Sequence, residues 1–353
     1  MCEDFYSSAA IKLNEYLLKT EVLFLASKNN WLADFAENFC EVCGTIQKWQ
    51  AERTLPDISF LEYTMLLTNF INRHYIAEVF VYGEKSCLDK NQRFVGEYDL
   101  SFMFVYFSEF WDYLLSERKR YVGKVSAHDI TAFMIEALPK FYSYLTNIAR
   151  FSIMEQMDKS PYADIVKGDR FSVNVGNYMA STEPVYVEHK TKNADKLIEW
   201  FSEQPSDKYV FEDYSNLDFS GKAFLYTDFR YARFQGSALN NTGFNGSMLI
   251  GTNFRNAQMV NCCLDNCAIY EADFSHAILR KSSFVNARGR AGLPNKEKWR
   301  HVGFLPVCFR HADLTDADFT DADLTGADFT DAILDGADFT GAVLDGAIYD
   351  NST

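Results

Sequence analysis

The sequence predicts a two-domain α+β protein. Residues 1–208 read as a mainly α-helical domain with a short β-hairpin near 171–189, and residues 209–353 as a square solenoid of five-residue repeats. Three observations predict this. From Tyr214 to Phe284 and again from Phe309 to Tyr349 every fifth residue is large and apolar, and the residue two places earlier is small from Thr227 to Ser282 and from Ala312 to Ala347. Before residue 209, apolar residues recur at three-and-four spacing, as on helices with one buried face. Late in that first part, Phe171, Val173 and Val175, then Val185 and Val187, alternate as strands do.

The helices follow in order. Segments near 8–27 and 58–73 carry the helical period. So do three sets of residues: Trp31, Leu32, Phe35, Phe39, Val42, Ile46 and Trp49; Phe102, Val105, Trp111, Leu114 and Leu115; and Ile130, Phe133, Met134, Phe141, Leu145 and Ile148. Five or six helices are expected. Ser126 is placed to cap the third set, and Pro139 to kink or split it. After the hairpin a last helix is expected from about Asn193 to Glu203, and Pro205, Ser206 and Asp207 mark the junction.

The repeat centres run Phe219, Phe224, Phe229, Phe234, Leu239, Phe244 and onward every fifth residue to Phe284. They resume at Phe309 and continue through Leu314, Phe319, Leu324, Phe329, Leu334, Phe339 and Leu344 to Tyr349; with Tyr214 there are twenty-four. A period of five matches neither helix nor strand, so the chain must turn a corner in every repeat. Four repeats close one coil of twenty residues. Centre and small residue then both face inward, and residue i lies under residue i+20, as in Phe234-Phe254-Phe274, Leu239-Met259-Leu279 and Phe319-Phe339. At about 4.8 Å per coil, six coils make a rod of roughly 30 Å. The slot two before each centre is small because four large side chains already fill the interior. Gly221, Gly236, Asn241, Gly246, Gly251, Gly326, Gly336 and Gly341 relieve the corners.

The runs Ala312-Asp313-Leu314-Thr315-Asp316 and Ala337-Asp338-Phe339-Thr340-Gly341 resemble the A-(D/N)-(L/F)-x-x signature of pentapeptide-repeat proteins. The resemblance implies a right-handed quadrilateral β-helix over residues 209–353, some 40% of the chain. It speaks weakly about function, because the repeated residues face the core.

Composition narrows the function classes. A net charge of −15 argues against a general nucleic-acid or anionic-membrane binder. Eight unevenly spread cysteines are no secreted disulfide scaffold, and Met1-Cys2-Glu3-Asp4 lacks the basic start of a signal peptide; a cytoplasmic protein is expected. The most apolar stretch, Leu100 to Leu115, is cut by Glu109 and Asp112, so no membrane span is expected.

Three surfaces are candidates. The repeat is interrupted between Arg288 and Val307, either by a loop or by a distorted coil with Trp299 and Phe304 at centre slots. Gly289, Gly292, Pro294 and the polar run 295–298 favour the loop. Arg288, Arg290, Lys296, Lys298 and Arg300 against Glu297 give it four net positive charges beside Trp299, the candidate partner-binding loop. The resemblance implies topoisomerase engagement there, since interrupting loops do this in the quinolone-resistance members; folding back on acidic neighbours is the competing reading.

Those neighbours are the second surface. From Phe309 onward there are eleven Asp and one Arg, with Asp313, Asp316, Asp318, Asp321, Asp323, Asp328, Asp331 and Asp338 as the candidate acidic face. The quinolone-resistance members resemble B-DNA in shape and charge. DNA carries one charge per about 1.7 Å of axis, whereas residues 209–287 sum to only −1, so mimicry along the whole rod is not expected. Solubility of a regular β-rod accounts equally for the acids. The third surface is the last coil. Leu344, Ile348 and Tyr349 form a candidate homodimer end, as in several family members, against a monomeric end shielded by charge.

Signals for catalysis are poorer. Cys40 and Cys43 form a C-x-x-C inside a helical stripe with no second pair, and Cys262 and Cys267 sit in the small inward slot. His128-Asp129 looks like a metal-dependent phosphohydrolase dyad, but follows a helix cap and has only His74 upstream as a further ligand. Gly83-Glu84-Lys85-Ser86 misses the spacing of a phosphate loop. No catalytic residue, cofactor or metal is expected. The sequence points to a non-enzymatic protein-protein interaction protein with rod and basic loop as docking surface. The alternatives are a DNA-mimicking gyrase or topoisomerase modulator, and an enzyme in the helical domain with the rod as dimerisation stalk.

Overall fold

A helix of 49 residues, α1 (Glu3–Ala51), opens the chain, with Glu3 and Asp4 in its first turn and Lys48 in its last, complementing the helix dipole. Two helices were expected here. One forms because the buried stripe runs unbroken through Phe24, Trp31, Phe35 and Phe39, and the Phe24 and Trp31 rings touch across Lys28-Asn29-Asn30, with centroids 5.9 Å apart.

The structure is a computed structural model that describes residues 3–84, 92–157, 159–178, 182–189, 209–300 and 303–349. The chain divides into two compact units. The first is Met1–Lys190 together with Glu297–Trp299; the second is Thr191–Lys296 together with Arg300–Thr353. The expected helix at 193–203 and junction at 205–207 lie outside the described residues.

In the first unit a five-stranded sheet accompanies the helices, where the sequence predicts a hairpin alone. After β1 (Ile58–Met65) come α2 (Leu67–Ile71), β2 (Ile76–Tyr82), β3 (Arg93–Asp99), α3 (Val105–Glu117), α4 (Ala127–Met154), β4 (Lys167–Asn177) and β5 (Thr182–His189). Strand order is β3-β2-β1-β4-β5, antiparallel except for the parallel β1–β4 pair. The expected helix over 58–73 is therefore a strand over its first half, with only Leu67–Ile71 helical. Seven of the eight β1 residues are buried, so the period-two alternation that marks a strand is absent. The expected hairpin is β4 and β5, joined to β1 at the Glu62–Asn174 pair, where Asn174 Nδ2 donates to Glu62 Oε1 at 3.0 Å.

Ser126 caps α4 with a full capping box, donating to and accepting from Asp129. Pro139 lies inside α4 without ending it. Ala137, Leu138 and Phe141 around it are buried, and their packing holds the helix together. Among the described residues no helix is long and apolar enough to cross a membrane.

The second unit is a β-helix. Parallel bridges link residues twenty apart, as in Asp213↔Arg233↔Asn253↔Asp273, and away from the interruption and the last coil the centre N–H groups reach carbonyls nineteen residues on, as from Phe234 to Asn253 at 2.7 Å. Inside, Phe234, Phe254, Phe274, Phe309, Phe329 and Tyr349 stack face to face with centroids 5.0–5.4 Å apart. The small slot does more than save space. Ser237, Thr242, Ser247, Thr252 and Ser282 donate their hydroxyls to centre carbonyls of the preceding coil, and Cys262 and Cys267 do so with thiols.

The interruption is a loop, and it is shorter than the sequence suggests. Across it the ladder steps by thirty-five residues, Asp273↔Cys308 and Arg288↔Asp323. Arg288 to Ala291 still belong to the coil: Gly289 occupies a centre slot and donates to Asp323 O at 2.8 Å. Only glycine fits there, because a Cβ would meet Val307 Cγ1 at 2.8 Å and Ile269 Cγ1 at 3.0 Å. The chain leaves at Gly292 (φ +73°), whose N–H bonds Gly303 O, and rejoins at Val307. The excursion spans 292–306, three repeat lengths, which is why the five-residue frame survives it.

Candidate functional site

The outward residues of the coils are the surface on which this unit can act, and local chemistry already engages most of them. In Asp-x-Thr, the first and third residues flank a centre. The Asp Oδ1 accepts from both the backbone N–H and the hydroxyl of the Thr, an Asx turn repeated at Asp313, Asp318, Asp323, Asp328 and Asp338. Asp218 and Asp273 make the same turn with serines earlier in the rod.

Cross-coil ion pairs take up more of the charge: Arg233–Asp213 at 3.3 Å, Arg255–Asp273 at 3.6 Å, Arg280–Asp313 at 2.6 Å and Arg310–Asp328 at 3.4 Å. Burial alone would push the Asp313 carboxyl up. The Thr315 hydroxyl and the Arg280 guanidinium outweigh it and hold the group below the usual range.

Of the predicted acidic face, Asp316 and Asp321 extend over Gly336 and Gly341 of the next coil, and Asp331 pairs with His311 Nδ1 at 3.3 Å. The His311 ring itself stacks on His276, with centroids 4.6 Å apart. Most of these carboxylates serve turns and pairs. Of the expected dimer end, Leu344 is partly buried, whereas Ile348 and Tyr349 are 51% and 42% exposed, and the Tyr349 ring stacks on Phe329.

The residues of the predicted basic loop differ in their settings. Arg288 is exposed on the coil, and Arg290 is half-buried and tied to Asp323 at 3.2 Å. Lys296, Lys298 and Arg300 are exposed. Trp299 belongs to the first unit, where it is half-buried and its Nε1 donates to the Tyr144 hydroxyl at 2.8 Å. Tyr144 in turn donates to Glu21 Oε2 at 2.6 Å, and Glu21 is only 4% exposed. Burial and the Glu21 charge both push the Tyr144 hydroxyl far above its ordinary range, so it stays protonated. Sequence reasoning missed Glu21 and Tyr144. Nothing in a helical stripe marks which polar member will be buried.

The weaker catalytic signals resolve into structure. Asp129 is held below the ordinary carboxylate range by the Ser126 backbone N–H and hydroxyl of the cap. The Cys43 thiol is pushed far up by burial within α1, and burial pushes Cys262 and Cys267 up to about 12. Lys85 and Ser86 lie outside the described residues. Among the described residues no group of three or more His, Cys, Asp or Glu could hold a metal ion.

Residues 227–266 and 308–348 match the family model for pentapeptide repeats, in eight copies. Among solved structures the chain is similar to QnrB1, a plasmid-mediated fluoroquinolone resistance protein, at 18% identity over 40% of this chain and 91% of that one, with a TM-score of 0.23. It is also similar to HetL, a pentapeptide-repeat protein involved in heterocyst differentiation regulation from the cyanobacterium Nostoc, at 14% identity over 44% and 94%, TM-score 0.15. A third is a pentapeptide-repeat protein of the Arabidopsis thaliana thylakoid lumen, at 24% identity over 37% and 73%, TM-score 0.16. No curated protein matches the chain. The family match and the twenty-residue ladder agree on one conclusion: residues 227–266 and 308–348 carry pentapeptide repeats that coil as a β-helix.

Proposed function

We propose that the chain is a non-enzymatic protein-binding protein whose β-helix presents the docking surface. One observation supports this most directly. Among the described residues the inward positions of the rod are filled mainly by core side chains and by hydroxyls and thiols bonded to the coil before, so recognition falls to the outward faces, where turns and ion pairs hold charges in register. Faces whose charges are held in register suit a complementary protein surface. Affinity capture from the native host tests the proposal, comparing the chain with a variant lacking 292–306 and with one carrying Arg at Asp316, Asp321 and Asp331. A partner retained by the first and lost by the charge variant supports it; identical profiles for all three refute it.

The exposed Ile348 and Tyr349 favour a homodimer through the last coil, with Leu344 beneath. Ile348→Asp with Tyr349→Asp then yields a monomer in sedimentation, and an unchanged mass removes the dimer. The narrower reading, a DNA-mimicking topoisomerase modulator, is supported by the acids of the last coils alone. A supercoiling assay with gyrase, with and without a quinolone, decides it: neither inhibition nor protection at micromolar protein excludes it.

A further inference from the structure

Within the first unit, Glu297–Trp299 is held as a bound peptide is held. Asn14 on α1 reads its main chain twice: Nδ2 donates to Glu297 O at 2.8 Å, and Oδ1 accepts from Trp299 N at 2.8 Å. An amide that satisfies the C=O of one residue and the N–H of the second residue after it clamps the main chain at this bend, and ignores the side chain between. Lys298, that intervening residue, is exposed.

The third contact reads a side chain. Tyr144 on α4 has its only O–H committed to Glu21, so toward Trp299 its oxygen is an acceptor and nothing else. The position therefore selects an aromatic ring bearing a donor, and phenylalanine would forfeit the indole hydrogen bond. Aromatic neighbours complete the floor: Tyr144 packs on Phe24 at 5.2 Å and on Trp299 at 6.4 Å between centroids.

We infer that α1 and α4 form a binding site for a turned, tryptophan-bearing peptide, which the chain's own Glu297–Trp299 occupies. The backbone supplies register through Asn14, and the indole N–H supplies selectivity through Tyr144. A segment of the same chain is present at millimolar effective concentration, so it shields the site from weak competitors until it is displaced or removed.

The test uses the full chain with Trp299→Ala, its fold checked by circular dichroism, and two probes, acetyl-Glu-Lys-Trp-amide and acetyl-Glu-Lys-Phe-amide, titrated calorimetrically. W299A binds the Trp peptide saturably, binds the Phe peptide about tenfold more weakly, and loses the Trp peptide when Asn14→Ala is added. Wild type binds neither. Equal binding of both peptides, or none by a folded W299A, overturns the inference. Should W299A not fold, Trp299→Phe serves as the acceptor chain. The Trp peptide then displaces the weaker internal ring, and the absence of such binding is equally fatal.

Discussion

Replacing Phe274 by alanine removes the centre of the longest ring ladder at the coil junction that spans the loop. Phe274 is fully buried, stacks on Phe254 at 5.0 Å and 4° and on Phe309 at 5.1 Å and 8°, and meets the edge of Phe284 at 5.7 Å. Truncating a buried Phe costs about 3–5 kcal/mol, and two lost stacks place this site near the upper end. Phe274→Leu keeps most of the volume and should cost about 1–1.5 kcal/mol. Phe339→Ala, at a partly buried position in the last coil, should cost about half as much as Phe274→Ala. Urea unfolding followed by circular dichroism measures the three. Hydrogen exchange should show the loss concentrated at the amides of Phe254 and Phe274, whose bonds to Asp273 and Cys308 join adjacent coils, because a solenoid coil contacts only its neighbours. A cost below about 1.5 kcal/mol for Phe274→Ala, or equal costs at 274 and 339, would refute the ladder as the source of rod stability.

Three further outcomes are expected. Deleting Gly292–Pro306 joins Ala291 to Val307, converts the thirty-five-residue step into one of twenty, and should leave a cooperatively melting rod; loss of the β signal in circular dichroism would show that the loop is needed to fold. Asp318→Asn keeps the acceptor of the Asx turn and should shift stability by less than about 0.5 kcal/mol, whereas Asp318→Ala should cost about 1 kcal/mol; equal effects would mean that charge matters there and the turn does not. The buried Cys262 and Cys267 thiols, raised to about 12, stay protonated in the fold while the unfolded chain ionises near pH 9. Their contribution is therefore full below that pH and lost as pH rises toward 12, at about 1.4 kcal/mol per unit for each thiol. Urea midpoints from pH 8 to 10.5 should fall less steeply once both are alanine, the residue that fills this slot in later coils.

The repeat was legible because its rule is local. A large residue every five and a small one two earlier state which atoms face inward, and the coil length and ladder follow from geometry. The Asp-x-Thr turns were present in the same letters, although as sequence they read as surface charge. Two things escaped. The strands β1 to β3 are buried on both faces or interrupted by bulges, which erases alternation, so Ile58–Met65 looked helical. The loop boundary escaped because glycine at 289 gives no sign of a centre slot until Val307 and Ile269 are seen filling it.

By itself, then, the sequence determined the β-helix, the inward columns and the place where they break, since each depends on neighbours within one or two repeats. Only the tertiary structure decided which charges are engaged and which residues meet across long intervals: Asp313 with Arg280, Asn14 and Tyr144 with Trp299, Glu62 with Asn174. Pairings of that kind depend on where the backbone brings side chains together in space, and no spacing along the chain records it.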